Sequence, residues 1–330
     1  VTERRAFINA VAGANPQHDV HALFVDWAEA QVEDPRLRKL FMRMAERSGI
    51  DHRWSVLAPA PGNLPHDQPG GFYHAPWPTT ATRMQCYAEA APELALKAIE
   101  RLRDKVDLDG VTHLVVASCT GFVAPGIDQI IARRLGLDNV ERTLVGFMGC
   151  YAAVCALRTA YHIARSDPSA KVLTVTVELC TLHLQETQAL EQLLAMLQFS
   201  DGAAAALVTS EPVGFEMSHL FSCALEDSAE LIQWKIVDTG FEMTLSGEVP
   251  SRIAHALQGE GTRARLFNGW GAEQVDTWAV HAGGRSILDA VERGLELPQG
   301  ALSASRDILA RYGNMSSATL MFVLEQLLER

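Results

Sequence analysis

Gly146-Phe147-Met148-Gly149-Cys150-Tyr151-Ala152-Ala153 is the stretch on which the fold turns. The apolar run 143–148 reads as a strand, and residues 151–165 carry the spacing of a helix. A thiol between the two opens that helix, where unpaired backbone N–H groups and the positive end of the helix dipole favour thiolate; the expectation is a lowered pKa. Gly149 permits the tight turn that aims the sulfur outward. Ala152, Ala153 and Ala156 give the helix a slim face that can pack deep in the protein.

Outward from this point strands and helices alternate. Strands are expected at 111–118, 171–178, 203–209 and 276–280, and helices at 82–103, 125–135, 186–198, 285–295 and 303–311. Upstream, 20–30 and 35–48 have helical spacing, with Asp34 as a cap ahead of Pro35. The Pro/Gly/His-rich residues 57–81 read as a loop. Such alternation implies an α/β architecture with helices over sheets. A faint duplication shows as well. Phe147-Met-Gly-Cys150 and Tyr312-Gly-Asn314-Met-Ser-Ser each precede a small-residue helix. The runs 113–119 and 277–281 each end a strand in a reactive residue. Two half-sheets would then offer side chains to one site.

Composition narrows the function. The chain has 330 residues, 48% apolar, with 40 acidic against 28 basic residues and a net charge of −12. An acidic chain is a poor general nucleic-acid binder. No uncharged apolar run is long enough for a membrane span, and Val-Thr-Glu-Arg-Arg at the start lacks a signal peptide's apolar block. Cys86, Cys119, Cys150, Cys155, Cys180 and Cys223 form no CxxC pair and no zinc-type cluster. The expectation is a cytoplasmic protein with free thiols and no metal.

Taken singly, a cysteine of this kind is a packing residue, a strand-end histidine is satisfied by backbone, and an asparagine before a helix is a cap. Cys155, inside its helix, fits that reading. Cys150, His281 in Trp278-Ala-Val-His-Ala-Gly-Gly and Asn314 gain meaning as a set. A thiolate accepts an acyl group from a thioester, while imidazole and carboxamide N–H groups can stabilise an enolate oxygen.

Gly-Phe-Met-Gly-Cys150-Tyr-Ala-Ala, Val-His281-Ala-Gly-Gly-Arg-Ser-Ile-Leu-Asp and Tyr-Gly-Asn314-Met-Ser-Ser-Ala resemble the three active-site signatures of bacterial type III polyketide synthases, the chalcone synthase superfamily. The resemblance runs from Gly13-Ala-Asn-Pro to the last residue. It implies a thiolase-like fold of two pseudo-duplicated halves packed as αβαβα layers, divided here as 1–210 (with Cys150) and 211–330 (with His281 and Asn314). It implies acyl-CoA starters and malonyl-CoA as substrates, no tightly bound cofactor, a homodimer, and iterative decarboxylative condensation ending in a resorcinol, pyrone or similar product. Cys150 would carry the chain; His281 and Asn314 would activate malonyl-CoA, and His281 would help keep Cys150 as thiolate.

Phe199, in Phe-Ser-Asp-Gly-Ala-Ala-Ala, is similar to the family's gatekeeper. Met243 stands near where chalcone-type members carry a second gatekeeper phenylalanine, and leans the reading towards an aliphatic or short-chain starter. Cys119 and Ser316 would line the cavity. Arg43 and Arg47, four apart on one helix face, with Lys39, would meet the CoA phosphates. Ala124 matches the segment that reaches across the family's dimer interface. Members usually continue past the Asn motif through two strands bearing a Gly-Phe-Gly-Pro-Gly-type loop; this sequence runs 16 residues beyond Asn314 (330 − 314). Three rival readings fit the motifs less well. A ketoacyl-ACP synthase III-like enzyme would show His-Gln-Ala-Asn rather than His-Ala-Gly-Gly. A thiolase would want a later cysteine. A non-catalytic thiolase-fold partner would not need all three reactive residues.

Overall fold

The computed structural model describes residues 4–330. The strands are β1 (Phe7–Ala14), β2 (His18–Asp19), β3 (Trp54–Ser55), β4 (His113–Ser118), β5 (Glu141–Gly146), β6 (Val172–Leu179), β7 (Asp201–Thr209), β8 (Phe215–Glu216), β9 (Ile232–Val237) and β10 (Gly240–Leu245). The helices are α1 (His21–Gln31), α2 (Pro35–Glu46), α3 (Thr80–Arg103), α4 (Ile127–Leu135), α5 (Ala152–Ser166), α6 (Leu190–Met196), α7 (Val249–Gln258), α8 (Glu260–Phe267), α9 (Arg285–Leu295), α10 (Ser303–Tyr312) and α11 (Ser317–Leu328).

A six-stranded mixed sheet, in the order β5-β4-β6-β7-β1-β8, organises the chain. β5, β4 and β6 run parallel; β7 pairs antiparallel with both β6 and β1. β6 is buried along its whole length, as its near-continuous apolar run requires. Side chains alternate between two cores. Leu173, Val175 and Val177 pack with Leu94, Ile99 and Leu102 of α3 on one face. Val172, Ala204 and Ala206 pack with Ala153, Ala156 and Ala160 of α5 and with Met321 and Phe322 of α11 on the other. Small residues set the spacing there: a Cβ at Gly13 of β1 would stand 2.6 Å from the Phe322 ring. The slim alanine face read from the sequence is therefore the face that seats α5.

Asp34 caps α2 by accepting from the Arg36 and Leu37 N–H groups, with Pro35 at the first position. Other boundaries move. The strand expected at 143–148 lies at Glu141–Gly146, and the helix expected at 186–198 shortens to Leu190–Met196. The strand expected at 276–280 does not form: this segment leads to His281 without a ladder partner. A strand exists only through a neighbour, and α8 and α9, which flank this segment, offer none. Among the described residues the second half-sheet of a five-layer arrangement is thus absent. The C-terminal part contributes the β9–β10 ribbon and helices α7–α11, with α9 and α10 sharing a core of Leu288, Val291, Leu302 and Leu309.

Candidate active site

Two helices that share one face of the sheet, α5 and α11, begin side by side. Cys150 lies in the turn Gly149–Tyr151 immediately before α5. Asn314 and Ser316 lie immediately before α11. Gly149 takes φ +59°, the left-handed region that the tight turn demands. Ser316 takes φ +48°, a strained value for a residue with a side chain, and strain of this kind gathers at functional sites. The side chains of Ser316 and Asn314 lie near the Cys150 sulfur and favour its thiolate form. Asn314 Oδ1 accepts from the Ser316 N–H (2.9 Å), and Asn314 Nδ2 donates to the Gly283 carbonyl (3.1 Å). That last bond ties the loop carrying His281 to the other two. The structure therefore joins Cys150 and Asn314 directly, and His281 through the Gly283 backbone.

The electrostatics correct one expectation. Burial pushes the Cys150 thiol up to about 11, against the lowering from Ser316, its own backbone N–H and Asn314. A thiol at a helix start is expected to fall; here desolvation by burial, with Glu178 nearby, outweighs the groups that favour thiolate. Burial also pushes His281 down to about 4, so the ring is neutral near pH 7. Its Nδ1 is buried without a hydrogen-bond partner among the described residues, and no hydrogen bond there joins the ring to Cys150. A neutral imidazole cannot hold a resting thiolate as an ion pair. It can take the thiol proton during attack.

A cavity of about 150 Å³ extends from Cys150 to residues of α1 and α6. Cys119, Phe199, Met243 and Ser316, all expected in its wall, line it together with Cys150. Val20, Leu23, Phe24 and Trp27 line the same cavity. Among the bonds that hold the β9–β10 ribbon, which carries Met243, Trp234 Nε1 donates to the Cys119 carbonyl (2.9 Å), and the Phe241 N–H donates to His183 Nδ1 (3.0 Å). His183 Nε2 in turn donates to the Thr120 carbonyl (2.7 Å), and its ring stacks on Phe241 at 4.2 Å. Lys39, Arg43 and Arg47 are exposed on or just after α2 and lie outside the cavity wall. Arg285 donates to the Arg47 carbonyl, adding a cation the sequence reading did not name.

A family profile described as chalcone and stilbene synthases, N-terminal domain, matches residues 2–212, and the corresponding C-terminal domain profile matches residues 218–330. The chain belongs to the chalcone and stilbene synthase family. It is 30% identical to the alpha-pyrone synthesis polyketide synthase-like Pks18 of Mycobacterium tuberculosis, over 98% of this chain and 84% of that protein. Mycobacterium bovis has a counterpart with the same figures. The fold resembles PKS-I of the brown alga Ectocarpus siliculosus (TM-score 0.84, 26% identity, 99% of this chain and 89% of the other). It also resembles the C-terminal type III polyketide synthase domain of Steely1, a type I/III hybrid from Dictyostelium (TM-score 0.85, 24% identity, 99% and 92%). The chain is thus a type III polyketide synthase, an acyltransferase with an α/β thiolase-like fold.

The structure of this synthase adds residues that motif reading passed over. Glu178, at the end of β6, is fully buried. Its Oε2 accepts from the Cys119 N–H (3.0 Å) and Thr120 Oγ1 (2.8 Å), and its Oε1 accepts from Ser317 Oγ. Burial raises its carboxyl to about 7 against those bonds. The Cys119 thiol contacts both Glu178 Oε2 (3.5 Å) and Ser316 Oγ (3.4 Å), so Ser316 lies beside two of the cavity's thiols, Cys119 and Cys150. Burial, then Glu178, pushes Cys119 well up, and it stays a neutral thiol. Among the described residues no group of three or more His, Cys, Asp or Glu could hold a metal ion, and no helix is long and apolar enough to cross a membrane.

Proposed function

We propose that Cys150 takes an acyl group from a CoA starter and extends it with malonyl-CoA, in two halves lying within 1–210 and 211–330. The sulfur attacks the starter carbonyl, its proton passes through the His281 ring, and CoA leaves as the protonated thiol. Malonyl-CoA then loses carbon dioxide. The electrons left behind form a thioester enolate whose oxygen faces the N–H groups of His281 and Asn314. The enolate carbon attacks the acyl carbonyl on Cys150, the Cys150 sulfur leaves, and the lengthened chain remains on CoA for reloading. Lys39, Arg43 and Arg47 would meet the CoA phosphates. The observation that carries this reading is the meeting of Cys150 and Asn314 at the tips of α5 and α11, opening on a mostly apolar cavity.

The starter we propose is an aliphatic acyl group. A mostly apolar cavity lined by Leu23, Phe24, Trp27 and the flexible Met243 suits an aliphatic chain. The 30% identical Pks18, named for alpha-pyrone synthesis, makes a pyrone the first product to seek. A second copy of the chain would cover β5, an exposed edge strand flanked by exposed Phe122, Leu144, Phe147, Met148 and Tyr151. Light scattering tests that dimer directly. Incubation with malonyl-CoA and hexanoyl- to palmitoyl-CoA, with product masses read by chromatography, tests the reaction; release of extended pyrones from the aliphatic starters is expected, and turnover of aromatic starters alone would contradict the starter assignment.

A further inference from the structure

Arg53 is a cation buried to 2% exposure, and it lies in the cavity wall. Its Nη1 donates to two carbonyls at once, Met196 and Phe199, both at 2.9 Å. Met196 is the last residue of α6, so a positive charge meets the negative end of that helix. Nε donates to His21 Nδ1 (3.1 Å), and the guanidinium lies 4.3 Å over the Phe24 ring. The Trp54 N–H, one residue on, donates to Ser200 Oγ (2.6 Å). The segment that Arg53 grips is paired with the Asn314 strand: the Asn314 N–H donates to the Gln198 carbonyl (2.8 Å) and the Ser200 N–H to the Asn314 carbonyl (2.9 Å). Gly313 closes the arrangement, since a Cβ there would stand 2.9 Å from Arg53 Cγ.

We propose that Arg53 is the positioning residue that fixes Phe199 relative to Asn314, and so sets both starter fit and malonyl activation in the synthase. A buried guanidinium is costly, and a packed apolar side chain in its place is often neutral or stabilising for the fold. A charge buried where the segment bearing Phe199 meets the segment bearing Asn314 indicates a geometric task rather than a stabilising one. The idea rests on the synthase reading above.

The test uses the full chain with R53K and R53M, the second keeping bulk without charge. Amide hydrogen exchange at Ser200 and Asn314 reports the grip itself. Malonyl-CoA decarboxylation and starter kcat and KM report its consequence, and amide exchange in β4, which Arg53 does not contact, serves as a control. The expected result is exchange at Ser200 and Asn314 faster by about tenfold, decarboxylation slower by about tenfold or more, and a changed ranking of starters, with exchange in β4 near the parent rate. Folded variants with parental exchange, decarboxylation and starter ranking would overturn the proposal. If the parent protein neither loads a starter nor decarboxylates malonyl-CoA, the synthase reading of this site falls, while the exchange comparison still decides whether Arg53 joins the two segments.

Discussion

Glu178 shows how a single side chain can make this fold sensitive to pH. Its folded pKa, raised to about 7, exceeds its ordinary value of 4.5, so the neutral form is favoured by folding. The stability this contributes is complete below pH 4.5 and is lost as pH rises through 7. In E178Q the amide can accept from Cys119 and Thr120 and donate to Ser317 without ever ionising. The melting temperature of E178Q minus that of the parent is therefore expected to rise between pH 5 and pH 8; a flat difference would mean that Glu178 stays neutral throughout. The histidines act in the opposite sense. His183 and His281, held near 3 and 4, favour folding above pH 6.5 and lose that contribution on acidification. For the nucleophile, Cys150→Ala is expected to abolish condensation while decarboxylation persists through His281 and Asn314, measured as carbon dioxide release from malonyl-CoA. Cys150 and Asn314 were legible in sequence because each opens a small-residue helix after a glycine. Glu178 was not: its partners Thr120 and Ser317 lie 58 and 139 residues away, and nothing around it forms a motif.

At the scale of elements, packing of α11 on the sheet depends on bare backbone in β1. Gly13→Ala would place a methyl group into the Phe322 ring, and the expected cost is about 1–3 kcal/mol, read as a lower denaturation midpoint with unchanged slope. No loss would mean that α11 can ride outward freely. Elements with their own punctuation were readable: α9 lies at Arg285–Leu295 as its spacing predicts, and α2 starts at Pro35 behind Asp34. Elements defined by neighbours were not. β1 carries alanine, glycine and asparagine in a strand that only its place between β7 and β8 explains. Residues 276–280 have a strand's composition and no ladder to join.

For the whole molecule, α1 and α6 from one part and the β9–β10 ribbon from the other wall a single cavity that begins at Cys150. Filling the cavity at Leu23 should shorten the chain it accepts. Leu23→Trp is expected to lower kcat/KM for palmitoyl-CoA by about tenfold or more while leaving hexanoyl-CoA within about twofold, since a buried methylene is worth about 0.8 kcal/mol. Equal losses for both lengths would place the acyl chain elsewhere. The architecture was legible as α/β from alternation, and the family from its motifs. The cavity was not, because it arises where distant segments such as Val20–Trp27 and Ile232–Met243 converge.

The most direct test of the central claim is intact-protein and peptide mass spectrometry after brief exposure to an acyl-CoA, with malonyl-CoA then added. The account predicts one acyl group on the peptide containing Cys150, none on Cys119, and loss of that adduct with release of an extended product once malonyl-CoA arrives. Acylation at Cys119, or an adduct on Cys150 that malonyl-CoA does not discharge, would contradict it.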